Sequence, residues 1–136
     1  MNKKLERIKR IAIRNCNRCN SEGCDSCLRK QARMMQYDKA SIPMEFWNRS
    51  FKDFNGNKNF KNFFTKKLKD IDAFYDRGKS MFIYGTFGTG KTYSACCMLK
   101  IALTKGYTGH YTNMSDVINK LLSREYDSGS YIKELA

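Results

Sequence analysis

Apolar residues recur along the chain at two spacings, and each spacing predicts a different element. Leu5, Ile8, Ile11 and Ala12 fall at helical steps among basic residues and predict an amphipathic basic helix over 2–14. A second helix extends over 28–37. Phe60, Phe64, Leu68, Ile71 and Tyr75 form a longer stripe, with lysines on the opposite face and Gly78 as its stop. That stripe reads as core. Ala95, Met98, Leu99 and Ala102 mark the inward side of a helix over 93–105 that Gly106 closes, and Val117, Ile118, Leu121 and Leu122 follow a Ser115 or Asp116 cap. Two short runs of strand formers, 81–84 and 107–112, predict parallel strands. Helices alternating with strands make the expected fold class α/β.

Between the first strand and its helix stands Gly85-Thr86-Phe87-Gly88-Thr89-Gly90-Lys91-Thr92, a complete G-x-x-x-x-G-K-[ST] phosphate-binding loop. The glycines let backbone N–H groups close around the α- and β-phosphates, Lys91 reaches the β- and γ-phosphates, and the Thr92 hydroxyl ligates Mg²⁺. The following helix offers unpaired N–H groups and the positive end of its dipole. Strand, loop and helix in this order predict a P-loop core that binds a nucleoside triphosphate. Upstream, residues 41–54 are dense in aromatics and hold the only Pro and the only Trp. Plain packing accounts for such side chains; the functional alternative lays Ile42 and its neighbours against the nucleotide base.

A second constellation precedes these elements. Cys16, Cys19, Cys24 and Cys27 form a C-x₂-C-x₄-C-x₂-C array in which Ser21-Glu22-Gly23 turns one pair back on the other. Four thiolates make a closed tetrahedral site suited to structural zinc, with an iron–sulfur cluster as the other occupant. Twelve residues cannot bury a core, so fixed structure here depends on the metal. Cys96 and Cys97 lack such company and read as small buried hydrophobes. His110 has no second imidazole or acidic cluster beside it, and a ligand role is not assigned to it.

Charge changes the picture of partners. The formal net charge is +13, and it is graded: residues 1–37 carry ten Lys/Arg against three acids, 38–80 ten against six, and 81–136 six against four. Basic charge gathered away from the nucleotide loop fits a polyanion, which rewards clustered Lys and Arg by counterion release, or else a solvated surface. The longest apolar run, 95–99, is far short of the roughly 18 residues a membrane span needs. The charged N-terminus lacks the apolar core of a secretory signal. The expectation is a cytoplasmic protein of 136 residues, with a basic helix and four-cysteine module over 1–37 and a P-loop domain over 38–136.

The 42–54 segment, the Lys-rich helix, Phe82-Ile83-Tyr84-Gly85 through Thr92, and 111–121 resemble the AAA+ ATPases of the DnaC/DnaI helicase-loader and IstB-like group. The resemblance covers about residues 40–136. It implies ATP with Mg²⁺ as cofactor, a replicative helicase engaged by the N-terminal module, and single-stranded DNA bound in a nucleotide-dependent way. It also implies that an acidic strand, a polar sensor and an arginine finger follow the second strand, and residues 1–136 contain none of them. The expected core is therefore incomplete, with hydrolysis absent or supplied by a further portion, which would also allow a homo-oligomer. No catalytic base is assigned. Two other readings stand beside this one: a zinc-dependent nucleic-acid or helicase adaptor with a remnant loop, and a P-loop phosphotransferase, for which acceptor and lid residues are not found.

Overall fold

The computed structural model describes residues 3–14, 16–19 and 22–123. Among these described residues six α-helices follow in order: α1 (Lys3–Arg14), α2 (Asp25–Lys39), α3 (Lys58–Lys69), α4 (Ile71–Asp76), α5 (Lys91–Thr104) and α6 (Met114–Leu122). Short 3₁₀ turns at Met44–Phe46 and Phe51–Asp53 break the run between α2 and α3.

Periodicity accounts for most of these helices. In α1 the expected stripe buries Ile8 and Ala12 against α2. The stripe over 60–75 divides into two helices at Asp70, so Phe64, Leu68 and Ile71 are buried while Tyr75 falls off the face and is exposed. Gly106, with φ +92°, ends α5 as expected: its N–H and that of Tyr107 reach back to the Leu103 and Ala102 carbonyls.

The core consists of two clusters with α5 between them. Ile8, Ala12, Met34, Tyr37, Ala40, Ile42 and Trp47 pack with Cys96, whereas Phe51, Phe54, Phe64 and Leu68 pack with Cys97. Adjacent cysteines thus face different clusters, and both are buried, as small hydrophobes are expected to be. The expected inward face of α5 is corrected. Ser94, Cys96, Cys97 and Lys100 are buried there, while Ala95 is exposed and Met98, Leu99 and Ala102 are only partly covered. Polar Ser94 is accommodated because its hydroxyl donates to the Gly90 carbonyl at 2.9 Å.

The expected parallel sheet is also corrected. Among the described residues there is no strand, and 81–84 and 107–112 carry no ladder. A strand is stabilised by a neighbour that accepts its backbone hydrogen bonds, and among the described residues no backbone hydrogen bond joins these two runs. The 81–84 run still alternates: Met81 and Ile83 lean on the Phe51–Phe64 cluster, and Phe82 and Tyr84 point outward, 87% and 83% exposed. In the other run the Tyr111 N–H donates to the Ala40 carbonyl at 2.8 Å.

Candidate nucleotide site and metal centre

The 85–92 loop joins the 81–84 run to α5 and is exposed along most of its length. Gly90 takes φ +84° at the N-terminus of α5, a left-handed conformation that suits glycine and turns the loop into the helix. Lys91 folds back over its own loop. Its Nζ donates to the Gly85 carbonyl at 3.0 Å, the Thr86 carbonyl at 2.6 Å and the Thr89 hydroxyl at 3.5 Å, and Thr89 in turn donates to the Thr86 carbonyl. All three acceptors are neutral. A phosphate offers the same ammonium an anionic acceptor, and so an ion pair that neutral oxygens cannot supply. Thr92 is exposed in the first turn of α5.

Lys91 also lines a cavity of about 340 Å³ that runs beside the loop to Phe54, Gly56, Asn57, Phe60, Ile83 and Tyr84. Its lining combines one lysine with three aromatic rings, and among the described residues no carboxylate contributes to it. The Phe54 ring is stacked on Phe51 with centroids 5.0 Å apart and is tilted against Phe60 and Tyr93. Ile42 is not part of this wall: it is buried among Ile8, Met34 and Trp47. Plain packing accounts for Ile42, and the aromatic wall comes from residues further along the chain.

The four array cysteines come together at the start of α2, with Cys24 at its N-cap and Cys27 in its first turn. Their sulfurs all lie within 4.8 Å of one another, and Cys27 is buried while the other three are partly so. Sγ···Sγ separations are 3.8 Å for Cys16–Cys24, 3.5 Å for Cys19–Cys27 and 3.9 Å for Cys24–Cys27. A tetrahedral Zn²⁺ with Zn–S of about 2.3 Å sets its sulfurs roughly 3.8 Å apart, so the donor set fits a single ion. An iron–sulfur cluster interposes iron and sulfide atoms between its thiolates and requires wider spacing. The Arg18 N–H, then the thiols of Cys27 and Cys19, lower the Cys16 pKa to about 6. Cys27 is pushed the other way, to about 12: the Cys24 N–H favours its thiolate but is outweighed by burial and by the three neighbouring sulfurs. Four thiols in this space cannot all ionise unless a cation shares the charge.

Several functional candidates carried no signal in the sequence. Phe54, Phe60 and Tyr84 looked like core or strand residues, and only the Asn55-Gly56-Asn57 turn marked the wall. Nothing in the sequence marks Lys100, which is 9% exposed. His110 is exposed, with no ligand partner among the described residues. No described helix is long and apolar enough to cross a membrane.

The family model for the IstB-like ATP binding protein matches residues 20–136, which contain the phosphate loop, its helix and the aromatic wall. Neither the curated proteins nor the solved structures include a match. The match spans most of the chain, and the chain belongs to the IstB-like ATP-binding family of AAA+ P-loop NTPases.

Proposed function

We propose that the chain is an ATP-binding DNA-replication protein of the helicase-loader kind, holding ATP–Mg²⁺ in the 85–92 loop. The observation that carries this is Lys91, tethered to neutral oxygens where the loop meets the cavity. The triphosphate lies against the loop N–H groups and Lys91, with Thr92 ligating Mg²⁺, and the base rests on Phe54, Phe60 and Tyr84. The reading is binding; hydrolysis would require a general base, and none is assigned among the described residues that line the cavity.

Residues 1–37 form a basic four-cysteine zinc module that engages a replicative helicase, next to a P-loop domain over 38–136. Single-stranded DNA is the second partner. Exposed Phe63 on α3, with the Lys67 ammonium 5.4 Å over its ring, supports this, since bases stack on aromatics while lysines follow the backbone. Titration with a fluorescent ATP analogue tests the central claim: Lys91→Ala should weaken binding roughly ten- to a hundredfold, and unchanged binding would sink the reading. Elemental analysis of the purified chain should return one zinc per molecule.

A further inference from the structure

α5 does more than carry Lys91 and Thr92 at its first turn. Seven residues apart on one side of it, Tyr93 and Lys100 reach the backbone of the 46–50 segment. The Tyr93 hydroxyl donates to the Ser50 carbonyl. The Lys100 ammonium donates to the carbonyls of Phe46 at 2.8 Å, Trp47 at 2.9 Å and Arg49 at 2.5 Å, and lies 5.2 Å from the centre of the Tyr37 ring. Burying an ammonium is costly unless its donors are satisfied, and here three neutral carbonyls and a ring face take the place of a carboxylate. Four carbonyls of one short segment are thus held from a single helix.

That segment leads directly into the cavity wall. Ser50 opens the 51–53 turn through a reciprocal cap with Asp53, the turn delivers Phe54, and Asn57 caps α3. From the far side Lys61 holds the Lys52 and Phe54 carbonyls at 3.0 and 2.7 Å. We infer that Lys100 and Tyr93 are positioning residues that keep the aromatic wall in register with the phosphate loop, and so govern the nucleoside's share of binding. The phosphate's share is left alone, because Lys91 and the loop N–H groups belong to α5 itself and to the turn before it. This rests on the proposed ATP site.

The test compares ATP with inorganic tripolyphosphate, each with Mg²⁺, by calorimetric titration of the full chain. Wild type should bind ATP more tightly than tripolyphosphate. Lys100→Met should lower the ATP-to-tripolyphosphate affinity ratio about tenfold, the value of one or two well-made hydrogen bonds, while tripolyphosphate binding stays within about twofold. Lys100→Gln, which retains an amide donor, should recover part of the ratio, and Tyr93→Phe, which removes one hydroxyl, should lower it about threefold. A merely structural role would weaken both ligands together. If Lys100→Met does not fold, Lys100→Gln and Tyr93→Phe decide. A wild-type ratio in those variants, or a parallel loss of both ligands, overturns the inference. Wild type that binds neither ligand overturns the ATP site itself and the inference with it.

Discussion

The cysteine turn and the phosphate loop are both short and both lead into a helix, α2 and α5, yet they take their shapes from opposite sources. Around the cysteines the sulfurs face one another, and Cys27 alone of the four is buried. The phosphate loop contributes almost nothing to a core, but its helix lies between two apolar clusters through Cys96 and Cys97. On the proposed zinc site, one turn takes its shape from the ligand it receives. The other is held in shape by packing behind it and waits for its ligand at the front. A binding site close to the ligand's own geometry can therefore be built with or without a core, and the difference lies in what survives when the ligand is removed.

Metal removal should separate the two most strongly. Structural zinc in small modules supplies on the order of 10 kcal/mol of folding free energy, so chelation should abolish amide protection over 16–27 and weaken α1 and α2. Protection in the interior of α5 should persist in hydrogen-exchange measurements; its equal loss would break the contrast. Phe64→Ala is the reciprocal experiment. Phe64 is fully buried beside Phe51 and Phe60, and truncation should cost about 3–5 kcal/mol in denaturant unfolding while the zinc content stays the same. Lys91→Ala should reduce ATP affinity by about 1.5–3 kcal/mol, roughly ten- to a hundredfold, with the melting temperature nearly unchanged because Lys91 supports no core residue.

The smallest effect concerns the thiols themselves. Burial, then the neighbouring Cys97, raises the Cys96 pKa from 9.0 to about 11. The native thiol keeps its proton where the unfolded chain has lost it, so its contribution to stability is complete below pH 9 and declines as the pH rises toward 11. Stability measured across that window should show the decline in wild type and a shallower one in Cys96→Ala. Equal slopes would mean that the folded chain does not hold the Cys96 thiol protonated above its ordinary range.

What was legible in the sequence was whatever acts locally. The four cysteines meet because a tetrahedral site can be written as a spacing, and the phosphate loop can be read because its glycines, lysine and threonine are contiguous. Helix positions followed from periodicity for the same reason. The misses are all non-local. The buried side of α5 depends on Lys100 finding carbonyls about fifty residues away, which no letter code announces. The 81–84 run looks like a strand and alternates like one, but pairing requires a neighbour that residues 107–112 do not provide. The aromatic wall was missed because Phe54 and Phe60 serve cluster and cavity at once.

Phe54 also binds the fates of two glycines, one two residues along and the other in the phosphate loop. Its ring sits where a Cβ at Gly56 would come within 2.4 Å of Cζ and one at Gly90 within 2.7 Å of Cε2. Gly90 is required by its backbone angle as well, but at Gly56 the ring is the obstacle, and the stacked Phe51 and tilted Phe60 leave it no easy retreat. Substitutions at 54 and 56 are therefore epistatic. Alanine at position 56 should cost more stability beside phenylalanine than beside a smaller side chain at 54, so an evolving lineage that shrinks the ring first gains freedom at a turn it has not changed.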